Sequence, residues 1–289
     1  GNIIIGNGAT EIIYQLVKMS SPTKVLIVSP TFSEYKFAVK SMNGEIDYYL
    51  LKRDNDFKLD VDRLLKKINN NQYDIVFICN PNNPTGQLIP QGDIKTLLDE
   101  LKTSNTKLVV DESFIDFVQE NNNYTVVDYI KQFENLFIIR SFTKMYTIPG
   151  IRLGYGLGSK ELINKIEENR DPWSVNIFAQ IIGKKLVECQ EYYHQSREVI
   201  FRERDILYNL LSQIDGIKPL YPEANFILVN ISQIGKTSTE IARELGKEGI
   251  IIRNCNSFKT LQEDYIRVAV RERSDNIKLI NNLKRVNQR

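Results

Sequence analysis

One histidine, His194, is all that this sequence contains. A Ser-His-Asp triad, a Cys-His pair and a histidine-built zinc site are therefore poor fits to it. Cysteine is nearly as scarce. Cys79, Cys189 and Cys255 stand far apart, with neither a metal-knuckle nor a CxxC spacing. An odd, scattered set of thiols points to a reducing compartment, hence to the cytoplasm. Long apolar runs are missing too, and none approaches the ~20 residues of a membrane-crossing helix. Charge of one sign is also lacking. The 38 Lys and Arg are offset by 36 Asp and Glu, a net charge of +2, without a basic arm or an acidic tail. Neither nucleic acid nor an anionic membrane is the expected partner. Any chemistry must then come from lysine, arginine, aspartate, tyrosine or a borrowed cofactor.

What the sequence does have is alternation. Short apolar runs at 25–28, 75–78, 108–110 and 136–139 are rich in β-branched and aromatic residues. They predict central strands covered on both faces. Helical patterns at 9–20, 33–43, 60–68 and 91–103 lie between them, so the fold class is α/β with a largely parallel sheet. Beyond about 192 the pattern changes. It predicts a long amphipathic helix to about 214, a strand at 226–229, a helix at 238–247, short strands at 250–252 and 265–270, and a final helix at 274–287. The chain divides into a large unit, residues 1–190, and a smaller α+β unit, residues 191–289. Its first residues read as loop, His194 as exposed on the long helix, and Trp173 as packed near the junction.

Ligands of open α/β sheets bind beyond the carboxyl ends of the strands. The four runs are followed by Ser29-Pro30-Thr31-Phe32, by Asn80-Pro81-Asn82-Asn83-Pro84-Thr85-Gly86, by Asp111-Glu112-Ser113-Phe114 and by Arg140-Ser141-Phe142-Thr143-Lys144. A glycine-rich turn, Gly6-Asn7-Gly8-Ala9-Thr10, opens the first helix. Taken singly these are weak signals. Such a turn is often only a turn, a carboxylate ending a strand is often solvated, and a lone lysine is usually on the surface. Together they bring an aromatic ring, an amide, a carboxylate and an amine to one rim.

Ser141-Phe142-Thr143-Lys144-Met145-Tyr146, continuing through Pro149-Gly150 and Arg152 to Tyr155, resembles the pyridoxal-phosphate lysine motif of class I and II aminotransferases. The Asn80–Gly86 turn and Asp111-Glu112 match the family's other signatures in order, and the resemblance covers essentially the whole chain. It implies fold type I, with a large, mostly parallel sheet domain and a smaller C-terminal α+β domain. It implies pyridoxal 5'-phosphate as cofactor and a homodimer with active sites at the interface. Lys144 would carry the cofactor and move protons, and Asp111 would pair with its ring nitrogen. Asn83 would donate to its phenolate oxygen, and Phe32 would stack on its ring. Gly8, Ala9, Thr10, Ser141, Thr143 and Arg152 would hold its phosphate. Arg267 would take the substrate carboxylate beside Asn83, and Arg253 a substrate phosphate. Family members carry an N-terminal arm ahead of this point, so an upstream segment is expected to be missing here, with weakened binding.

Within the family, Pro172-Trp173-Ser174-Val175-Asn176 and Ile252-Arg253-Asn254-Cys255, then Ser257-Phe258, resemble the histidinol-phosphate aminotransferase branch, and within it the threonine-phosphate decarboxylases. That resemblance implies decarboxylation of L-threonine O-3-phosphate to (R)-1-aminopropan-2-yl phosphate, for cobalamin biosynthesis. Amino transfer from histidinol phosphate or another amino acid is the alternative. A ligand-sensing regulatory domain is a further one. Phe114 stands where many members have Tyr. It either tilts the balance to the decarboxylase or simply packs.

Overall fold

Successive side chains of a strand point to opposite faces, so a run apolar at every position must be covered on both. Leu26, Val28, Val76, Ile78, Leu108 and Val110 enter one core, whereas Val25, Ile27, Ile75, Phe77 and Val109 enter a second. The computed structural model, which describes residues 1–288, places these two cores on opposite faces of one sheet.

In chain order the large unit comprises β1 (Ile3–Asn7), α1 (Ala9–Ser20), β2 (Lys24–Ser29), α2 (Glu34–Ser41), β3 (Glu45–Leu50), α3 (Val61–Asn69), β4 (Ile75–Cys79), α4 (Gln91–Leu101), β5 (Lys107–Asp111), β6 (Leu136–Ser141), α5 (Phe142–Met145), β7 (Leu153–Leu157), α6 (Lys160–Asn169) and α7 (Ile177–Leu186). The strand order is β1-β7-β6-β5-β4-β2-β3. Only β7 runs against its neighbours. The carboxyl ends of β2, β4, β5 and β6 therefore share one rim.

The long helix α8 (Gln190–Ser212) leads to a second, antiparallel sheet. It is made of β8 (Lys218–Pro219), β9 (Phe226–Asn230), β10 (Arg253–Asn254) and β11 (Tyr265–Ala269), and α9 (Ser238–Lys247) and α10 (Arg273–Gln288) cover it. One face of β9 and β11, with Ile227, Val229, Ile266 and Val268, packs under these helices. The other face carries Leu228 and Tyr265 into a core of the large sheet. Arg53 also ties the two units, donating to the Thr260 carbonyl and pairing with Asp264 at 2.7 Å.

Several expectations need correction. The first residues are not loop, because Ile3 begins β1. Its alternating exposure, with Ile3 at 57% and Ile4 at 1%, is too brief to stand out in sequence. β7 escaped because Gly154 and Gly156 dilute its pattern. The strand expected at 250–252 lies at Arg253–Asn254 instead, where it pairs with β11. Trp173 does not pack at the junction, being 88% exposed. His194 is exposed on α8, as anticipated.

Candidate active site

Every residue that the family resemblance assigned to the cofactor, Gly8 apart, lines one cavity at the rim. Gly8 is the N-cap of α1, at φ 82, and makes no side-chain cap bond. A Cβ there would collide with the Arg152 guanidinium, so glycine lets the helix start and the arginine meet. The unsatisfied N–H groups at the start of a helix, with its dipole, favour an anion. Arg152 itself has φ 60, in the left-handed region that several other non-glycine residues of this chain also adopt.

Lys144 sits on α5, the single turn that follows β6. Ser141 caps this turn, accepting from the Thr143 N–H at 3.3 Å, and the two hydroxyls lie 2.7 Å apart. The Lys144 side chain is open to the cavity. Among the described residues its Nζ has neither a hydrogen-bond acceptor nor a paired carboxylate. Partial burial of the amine lowers its pKa from the ordinary lysine value. The Arg267 and Arg152 charges push the same way, and Asp111 opposes them. The site thus shifts Lys144 toward the free amine.

Asp111 ends β5 and is buried. Tyr35 donates to its Oδ2 at 2.6 Å, and the Ser113 N–H donates to its Oδ1 at 2.9 Å. Burial raises the carboxyl's pKa, while these two bonds and the Lys144 charge pull it back. Tyr35 reaches the site from α2, the helix after Phe32. It is fully buried and stacks on Phe77 with ring centroids 4.8 Å apart. Its place on the apolar stripe Tyr35, Ala38, Val39 was the available signal. Tyr35→Phe would leave a buried carboxylate oxygen without its donor, a loss of about 1–3 kcal/mol. Pyridoxal phosphate affinity should fall roughly tenfold in equilibrium dialysis. Unchanged affinity would show that the bond does not position Asp111.

Next to Asp111, Glu112 turns away from the cavity. It accepts two bonds from Arg140, at 2.9 and 2.6 Å, with Thr125 Oγ1 and the Val126 N–H completing its shell. This buried pair ties the end of β5 to β6, and so Asp111 to the strand that leads into the Lys144 turn.

The two arginines come from the small sheet. Arg253 and Arg267 are directly opposed across the β10–β11 ladder. Their Cα atoms are therefore neighbours at about 5 Å, with side chains on one face. Arg267 donates to Asn83 Oδ1 and lies over the Phe226 ring, 4.7 Å from its centroid. Arg253 lines an adjoining cavity, with Thr31 and Phe32. Phe114 packs edge-on against Phe226 at 5.1 Å and gives the cavity a ring without a donor. The structure thus gathers the predicted residues at one rim, with Arg253 one cavity over.

The family model for aminotransferase class I and II matches residues 1–283. The protein named "Putative threonine-phosphate decarboxylase" from Caldanaerobacter subterraneus subsp. tengcongensis is 38% identical over 283 residues, 98% of this chain and 76% of that protein. The histidinol-phosphate aminotransferase of Methanosphaera stadtmanae is 33% identical over 286 residues, with 98% and 76% covered. Among solved structures, the histidinol-phosphate aminotransferase from Clostridium acetobutylicum superimposes with a TM-score of 0.92 at 32% identity, covering 99% of this chain and 84% of that one. The L-threonine-O-3-phosphate decarboxylase from Porphyromonas gingivalis gives 0.87 at 26% identity, covering 100% and 84%.

Proposed function

This chain belongs to the class I and II aminotransferase family, and we propose that it is a pyridoxal-phosphate-dependent decarboxylase of L-threonine O-3-phosphate. The product would be (R)-1-aminopropan-2-yl phosphate, destined for cobalamin biosynthesis. The observation that carries this reading is the register of Arg253 opposite Arg267, which offers two adjacent forks to a substrate with two anionic groups a short spacer apart. Phe114 adds support, since its ring leaves the phenolate side of the cofactor to Asn83.

The cavity residues fit the cofactor. Asp111 is a buried carboxylate with two donors but, among the described residues, no cation bonded to it, and a protonated pyridine nitrogen is such a cation. At the other end, the uncapped start of α1 with Ala9 and Thr10, the Ser141–Thr143 hydroxyls and Arg152 suit a phosphate. Phe32 supplies an aromatic ring to the same cavity. When bound, pyridoxal phosphate supplies an electron sink for the pair left at the substrate α-carbon. Asp111 holds a proton on the ring nitrogen. Arg267 would grip the carboxylate and Arg253 the phosphate, and together they would orient the substrate α-carbon. Lys144 returns a proton to the α-carbon in place of the departing carbon dioxide.

The deciding experiment gives the cofactor-loaded protein O-phospho-L-threonine without a keto acid. Carbon dioxide and aminopropanol phosphate in equal amounts over many turnovers are expected. No release, with amino transfer once histidinol phosphate and 2-oxoglutarate are supplied, would make the chain a transaminase.

The same reading takes the enzyme to be a cytoplasmic homodimer of two-domain subunits divided near residue 190. Phe178 at 68% and Ile181 at 57% exposure stand three residues apart on α7, and with the exposed Trp173 before it they support a second copy as a cover. Sedimentation equilibrium should return twice the subunit mass. A monomer at micromolar concentration would refute the dimer.

A further inference from the structure

The cavity that holds Arg253 carries more positive charge than one arginine provides. It measures about 580 Å³, and its wall includes Lys36 and Lys259 but no carboxylate. Acids are nearly as numerous as bases in this chain, yet among the described residues none pairs with Lys36, Arg253 or Lys259. Packing aims these cations. Lys259 Nζ lies 4.3 Å from the centroid of the Tyr48 ring. Arg253 donates to Ser257 Oγ at 3.0 Å and lies 5.5 Å from the Phe258 centroid. Lys36 is half-buried in the first turn of α2, and Ser33 before it spends no side-chain bond on capping.

Like charges brought together without acids cost free energy unless an anion joins them. The cofactor phosphate is not that anion, for its candidate cradle of Ala9, Thr10 and Arg152 belongs to the other cavity. Phe32 lines both cavities. Lys36 comes from the large unit, and Arg253 and Lys259 from the small one, so an anion here would be gripped from both.

We propose that Lys36 and Lys259 complete, with Arg253, a subsite for a phosphate monoester dianion. It rests on the reading that the substrate is a phosphorylated amine. A dianion offers the oxygens for one guanidinium fork and two ammonium point charges. An unphosphorylated amino acid leaves the three cations on this wall without an anion, so the subsite selects against it as well as for its ligand.

The test uses the cofactor-loaded protein and propyl phosphate, a monoester without an amine or carboxylate. Calorimetric titration should show binding that competes with O-phospho-L-threonine. Lys36→Ala and Lys259→Ala should each weaken it about tenfold, the size of one charge-assisted contact. The loss with substrate should fall on KM rather than kcat, and Lys36→Arg should recover most of it. Lys40→Ala, an exposed charge of the same helix outside the cavity, should change nothing. Equal propyl phosphate affinity in the wild type and both alanine variants overturns the subsite, even if carbon dioxide is released as expected. Conversely, weakened binding in the variants upholds it even if the enzyme proves to transfer amino groups.

Discussion

Lys144→Ala should lower turnover by on the order of 10⁴-fold, the upper end of what a positioned proton-transfer group contributes. The size follows from what else the cavity contains. Lys144 is the lysine on its wall, and the neighbouring cations, Arg152 and Arg267, are guanidiniums, which donate hydrogen bonds but do not act as bases. Both guanidiniums contribute to lowering the amine's pKa, so they prepare the base without being able to replace it. Cofactor should still be retained, because Asp111, Arg152 and the start of α1 remain. Equilibrium dialysis checks that point and separates lost chemistry from lost loading. A small added amine should restore a measurable part of the rate, since the alanine leaves room where the side chain stood. Activity within tenfold of wild type, with cofactor retained, would show that Lys144 is not the proton-moving group.

Glu112→Gln should destabilise the fold by about 3 kcal/mol, as expected when a buried ion pair loses one partner and the other charge stays behind. The Glu112 side chain has no exposed surface and that of Arg140 only 18%, so water does little to relieve the stranded guanidinium. Asp116 lies close enough to Arg140 to influence its titration and softens the loss without restoring the two short bonds. Urea denaturation with an unchanged slope is the measurement. A shift below about 1 kcal/mol would mean that the pair is ornamental. Because Glu112 follows Asp111 and Arg140 precedes Ser141 and Lys144, the variant that still folds should also lose activity.

Much of this was legible before the structure. The apolar runs and their intervals gave the parallel core, and helices α1 and α9 begin and end where their patterns do. Lys144, Asp111 and Asn83 were legible because each follows a strand directly, and a strand of known direction carries its final residue to the rim. β1, β3 and β7 were not. Each lies at or near an edge, where the partner strand and not the local pattern supplies the reason to be extended.

The sequence by itself thus determined the class of fold, the rim at which the polar residues meet and the amine that stands there. Only the tertiary structure decided that Tyr35 would bond Asp111 across 76 positions of chain, that Arg253 would face Arg267, and that Lys36 and Lys259 would share a wall. The physical reason is range. Apolar periodicity and turn chemistry act over a few residues and can be read locally. A hydrogen bond or a shared charge between distant segments exists only after packing has brought them together, and nothing near either residue records which partner it will meet.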